Sequence, residues 1–294
     1  MTMDDFISKI KYNFKQGSIL SKLIYINVGL FLIVRLLSVA FILFNMNADT
    51  VLFWLQVPSS PIQLLYRPWT LLTYMFTHFD FLHIIFNMLW LYWFGGLFLN
   101  FFSERQLGGL YVIGGLAGAL LYIVSYNFFP YFSNVAAHST LIGASASVMA
   151  IVFAVSFYKK DMEISLLLIG RIKLIYLALF TLGIDLLAIT SDNAGGHIAH
   201  IGGALAGILY ASQYHKGKDL TAPFNKIIDF VVNLMRRKPR MKVTHRRTET
   251  DRDYNARKHQ EQEVIDVILD KLKRSGYESL SDNEKKQLFD ASKK

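Results

Sequence analysis

Between residues 20 and 214 the chain carries long apolar runs broken only by short polar stretches, and charge is almost absent inside them. Each run is near the length needed to cross a hydrocarbon layer of about 30 Å. Buried in lipid, a backbone must satisfy its own N–H and C=O groups, so runs of this length read as membrane-spanning helices. Six are expected, over 20–44, 79–98, 107–128, 141–158, 174–189 and 195–214. Composition agrees: 53% of the residues are hydrophobic and only 18% charged. A water-soluble globule is thereby excluded. The expected fold is an all-α polytopic membrane protein, a six-helix bundle followed by a short soluble helical tail.

Charge then sets organisation and orientation. Lys9, Lys11, Lys15 and Lys22 precede or open the first span, and Arg105 lies between the second and third. Lys159, Lys160, Arg171 and Lys173 lie between the fourth and fifth, and the chain after Lys216 is rich in Lys and Arg. With six crossings all of these fall on one side, where the positive-inside rule puts the cytoplasm. Arg67 is the clear exception on the other side. The expected divisions are a cytoplasmic segment over 1–19, the membrane domain over 20–214, a basic linker over 215–260 and a helical hairpin over 261–294. In the hairpin, Val264, Val267, Ile268 and Leu272 share one face, Ser275-Gly276 ends the helix, and Ser281 with Glu284 forms a capping box. The first residues lack the features of a signal peptide, and an inner, cell-membrane location is expected. The net charge of +9 reads as retention of the tail at anionic headgroups rather than as nucleic-acid binding. The hairpin reads as a docking element for a cytoplasmic partner.

The chain has no cysteine, which rules out disulfides, thiolate nucleophiles and thiolate-held metal clusters. Chemistry must come from the polar residues inside the spans, each costly unless partnered or used. Ser145 sits in Gly143-Ala144-Ser145-Ala146-Ser147. His197 and His200 sit in the sixth span, and His83 and Asn87 share one face of the second. Counted from the expected ends of their spans, Ser145, His200, His83 and Asn87 share a layer roughly 6–12 Å below the outer surface. A candidate nucleophile, a candidate base and a pair of donors in one layer point to a shared site, although a serine among small residues also suits packing and a span histidine also suits a helix–helix bond or a haem or metal ligand. Stripes of small residues on the fourth and sixth spans let those helices approach closely. Arg35 reads as a snorkelling cation or the mark of a displaced first span. For Asp185 the plainer reading is a structural hydrogen bond; the other is orientation of a histidine, as a third triad member would do.

At these residues the sequence resembles the rhomboid family of intramembrane serine proteases, over about residues 20–214. Gly143-Ala144-Ser145-Ala146 matches the serine motif. Ala199-His200 with Gly203 and Gly207 matches the histidine motif. The second-span motif is matched by His83-Ile84-Ile85-Phe86-Asn87 after an earlier His78. The chain departs from common members in Ala146 for glycine, Met149 for an aromatic residue, Arg67-Pro68-Trp69 for a Trp-Arg cluster and Asn100 for a glutamate. The resemblance implies a serine endopeptidase with a Ser145–His200 dyad, cleaving membrane-protein substrates within the bilayer near its outer face. Asn87, His83 and the Ser145 backbone N–H would stabilise the oxyanion. Gly143, Met149, Gly203 and Gly207 would support the dyad, with Met149 packing the imidazole. Neither cofactor nor metal is expected. The alternatives are an inactive relative that binds membrane clients, and a transporter, channel or haem protein using the histidines.

Overall fold

The computed structural model describes residues 14, 16–166, 170–235 and 250–292. Lys9, Lys11, Lys15 and the stretch 236–249 of the expected linker lie outside the described residues. The chain divides into two compact units, one ending at Met235 and one beginning at Arg236.

The first unit is helical. Its elements are α1 (Ile19–Leu43), α2 (Asp49–Phe53), β1 (Val57–Pro58), α3 (Pro61–Tyr66), α4 (Thr70–Thr73), α5 (Phe81–Leu99), α6 (Glu104–Phe128), β2 (Thr140–Leu141), α7 (Ser145–Tyr158), β3 (Glu163–Leu166), β4 (Gly170–Lys173), α8 (Leu174–Leu187), α9 (Ala194–His215) and α10 (Ala222–Met235). The apolar helices α1, α5, α6, α7, α8 and α9 follow the expected order. Of these, α1, α5 and α6 are long and apolar enough to cross a membrane unaided.

Helix α7 has 14 residues, about 21 Å at 1.5 Å per residue, short of a full hydrocarbon thickness. Its surroundings explain the tolerance. Every residue from Ala146 to Ser156 is buried, so α7 is packed by protein rather than lipid. Its main neighbours are α9 and α6. A Cβ on Gly203 would collide with the Ala146 carbonyl oxygen, and one on Gly207 with that of Ala150. Only glycine permits this approach of two backbones.

Local chemistry sets the helix ends. Asp80 caps α5 by accepting from the His83 N–H at 2.9 Å. Ser103 and Gln106 form a capping box at α6, which stops at Phe128, with Phe129 between its end and Pro130. The fourth span was expected to begin at residue 141, yet α7 begins at Ser145. Residues 140–141 instead form β2, antiparallel to β1. That pairing is continued by the Ser59 N–H, which donates to Ser139 O at 3.1 Å.

The loop between α1 and α5 is folded. The buried Arg67 guanidinium lies 3.7 Å from the Phe53 ring centre, donates to the Phe53 carbonyl and reaches Gln63 Oε1 at 2.8 Å. Trp54 and Trp69 stack beside it. Arg35 rests over the Phe79 ring at 4.5 Å, which gives this span cation a partner.

The expected linker contains α10. Its residues Asn225 and Asp229 meet α6, with Asp229 2.5 Å from Arg105. Ile227 and Phe230 stay exposed. In the second unit, α11 (Asp251–Ser275) starts ten residues before the expected hairpin, capped by Thr250, and ends at Gly276 with φ 77°. Helix α12 (Asp282–Ala291) follows, with the capping box at Ser281 and Glu284. On α11 Ile268 is buried while Val264 and Val267 are exposed, so the apolar face is narrower than its sequence period suggests.

Candidate active site

The segment before α7 delivers Ser145. β2 hands the chain to Gly143, whose φ of 119° is open to glycine and strained for L-residues. The Gly143 N–H donates to Tyr74 O at 2.9 Å, and the Ala144 N–H donates to Nε2 of the buried His78 at 3.3 Å. A Cβ at residue 143 would stand 2.8 Å from His83 Cε1, so glycine also makes room for that ring. Ser145 is therefore the first residue of its helix, and not four or five residues inside it. Ala144 offers no side-chain cap, leaving the first-turn N–H groups, that of Ser145 included, without intrahelical partners. The positive end of the helix dipole lies at the hydroxyl.

Helix α5 presents His83 and Asn87 on one face. The Asn87 side chain donates one N–H to His83 O at 2.9 Å; an amide has a second donor. The His83 ring packs edge-on against His78, centroids 5.2 Å apart.

Helix α9 brings His200, and α8 brings Asp185. The Asp185 carboxylate is buried, and its Oδ1 accepts from Nδ1 of His200 and from Nδ1 of His197, each at 2.8 Å. The resemblance implied a dyad with the imidazole packed by Met149, and orientation of a histidine was only the lesser reading of Asp185. Instead a carboxylate holds the Nδ1 proton, which leaves Nε2 as the ring atom free to accept another.

One cavity of about 340 Å³ gathers these groups. Its lining includes His83, Asn87, Trp90, Ser145, Met149, Thr181, Asp185 and His200. Ser145 and His200 thus face the same space; in this state His200 is bonded to Asp185, and no hydrogen bond joins it to Ser145 among the described residues. Contacts between a nucleophile and its base are often loose before substrate binds. Met149 lines the cavity, Gly143 leaves room for the His83 ring, and Gly203 and Gly207 set the distance between α7 and α9. Asp185 and His78 join the site without having stood among its expected residues. Asp185 is the one acidic residue within the apolar run 174–189, a signal that pointed to it; His78 appeared only as part of a motif.

Comparison with known proteins shows the family. A profile of the rhomboid domain matches residues 66–217, and a family of unknown function matches residues 248–294, most of the second unit. RHOMBOID-like protein 12, mitochondrial, of Arabidopsis thaliana is 29% identical over 158 residues, covering 51% of this chain and 47% of that protein. The human presenilin-associated rhomboid-like protein, mitochondrial, is 29% identical over 154 residues, 48% of this chain and 36% of its own. Rhomboid protease GlpG of Salmonella choleraesuis (strain SC-B67) is 36% identical over 74 residues, a quarter of each chain. The matches span half or less of these relatives' own length. The rhomboid profile covers just over half of the chain, from the loop before α5 to the end of α9. The chain belongs to the rhomboid family.

Proposed function

We propose that this protein is an intramembrane serine endopeptidase, with Ser145 as nucleophile and His200 as general base. One observation carries the reading: the Ser145 hydroxyl, at a helix N-terminus, and an imidazole whose Nδ1 is fixed by a buried carboxylate line the same cavity within the bundle. A serine hydroxyl is too weakly acidic to attack a peptide unaided, so a base within reach is required. His200 Nε2 takes the Ser145 proton as Oγ bonds to the substrate carbonyl carbon. The oxyanion forms at the start of α7, where the Ser145 N–H, the Asn87 amide and His83 donate to it. Collapse breaks the C–N bond, and the departing amine takes the proton from His200. Water, deprotonated by the same imidazole, then cleaves the acyl-serine ester. Asp185 fixes the productive tautomer throughout and faces the imidazolium when it forms, so the expected dyad gains a third member.

The substrate is the extended backbone of another membrane protein near the outer end of its span. The Lys and Arg distribution supports a topology with both termini on the cytoplasmic side, and a cell membrane is the location we infer. Presentation of a transmembrane reporter in detergent tests the assignment. Ser145→Ala and His200→Ala each abolish its cleavage while the proteins remain monodisperse; cleavage at the wild-type rate by either variant refutes it.

A further inference from the structure

We propose that Asp185, His197 and His200 also form a binding site for a divalent transition-metal ion of the zinc class, and that its occupancy switches the active site off. The binding part stands on geometry alone; the switch rests on His200 being the general base.

His197 and His200 stand three residues apart on α9, on one helical face. Their Nδ1 atoms converge on one oxygen of Asp185, 2.8 Å from each. One donor atom from each residue lies within 4.8 Å of the other two. Among the described residues this is the one such group of three. The carboxylate is buried while both rings are partly open, and Asp185 and His200 line the cavity, so an ion has a way in. Two imidazoles and a carboxylate, with a fourth position left to water, are a donor set for zinc and its neighbours rather than magnesium or calcium. The absence of cysteine from the chain removes competing thiolate sites.

The hydrogen-bonded and metal-bound states differ in one decisive way. In the first, each neutral ring carries its proton on Nδ1 and donates it to Asp185. For the ion to bind at Nδ1, that proton must move to Nε2, because a neutral imidazole has one lone pair to give. Charge and proton count are conserved: the ion loses water, the rings change tautomer and Asp185 exchanges two N–H donors for the metal. His200 is then left with Nε2–H, and no lone pair remains to accept the Ser145 proton.

The experiment uses the full chain in detergent, freed of metal by a chelator. Cobalt(II) provides a spectroscopic reading independent of activity, and zinc the inhibition. Wild type is expected to show visible cobalt absorption bands at one ion per chain and to lose reporter cleavage by at least about 100-fold at saturating zinc, the share a general base supplies. Magnesium leaves cleavage unchanged. His197→Ala and His197→Gln retain cleavage in chelator, lose the bands and need at least about 10–100-fold more zinc for inhibition, since losing a ligand costs no less than losing a residue that merely supports one. Zinc inhibition unaltered in both variants, or no cobalt bands in wild type, overturns the site. Bands that depend on His197 beside undiminished cleavage overturn the switch. Bands that depend on His197 in a protein that never cleaves support the site while refuting the protease reading.

Discussion

In the proposed mechanism a single buried carboxylate oxygen determines what His200 can do. Bonded at Nδ1 by Asp185, the ring has a defined tautomer before substrate arrives. Asp185→Asn keeps the size of the side chain and removes the charge that stabilises the imidazolium. Its turnover number is expected to fall by about 10²–10⁴, with KM for the reporter nearly unchanged. A fall in KM affinity with turnover intact would show that Asp185 shapes the pocket instead. This pairing was the least legible part of the site. His83, Asn87, Ser145 and His200 stand out in the sequence because polar residues in apolar runs need a reason. The meeting of Asp185 with His200 depends on how α8 and α9 rotate against each other, which no periodicity within either helix encodes.

At the scale of elements, the close packing of α7 and α9 sets the position of Ser145 relative to His200. Gly203→Ala places a methyl group against the Ala146 carbonyl, one residue from Ser145. Overpacking of this kind costs about 1–3 kcal/mol. The variant is expected to unfold at lower temperature and to lose more activity than stability, as read by thermal denaturation and reporter cleavage in detergent; Gly29→Ala, where a Cβ has open space, is the matched control. The start of α7 escaped the sequence reading because residues 141–144 are apolar or small and look helical. What makes 140–141 a strand is β1, over 80 residues earlier. Helix α10 escaped because the basic residues around it resemble a linker, although Phe224, Ile227 and Ile228 recur at helical spacing behind Pro223, which suits a first turn. In the second unit, Glu284 ties α12 to α11. Bonds from the Ser281 backbone first, then from Lys271, hold its carboxyl well below the usual range, at about 2. A depressed acid stabilises the fold above its unfolded value of 4.5 and loses that contribution as pH falls toward about 2. Amide exchange in α12 is expected to speed up across that window, and Glu284→Gln to flatten the difference. Identical acid response in both proteins would remove Glu284 from the account.

For the whole molecule, the arrangement of six apolar helices was readable from hydropathy and length. The short α7 shows the limit of that reading, since a helix sheathed by protein need not match the bilayer. The absence of cysteine makes orientation testable without background: an impermeant maleimide added to intact cells is expected to label Ile62→Cys and spare Ser165→Cys, and the reverse pattern would invert the topology. The central claim is that a hydroxyl at the start of α7 is made nucleophilic by the imidazole on α9. Intact-mass analysis after treatment with a fluorophosphonate tests it most directly. One adduct per chain is expected, on the peptide carrying Ser145, absent from Ser145→Ala and strongly slowed in His200→Ala. An adduct that persists in Ser145→Ala, or forms as fast without His200, would contradict it.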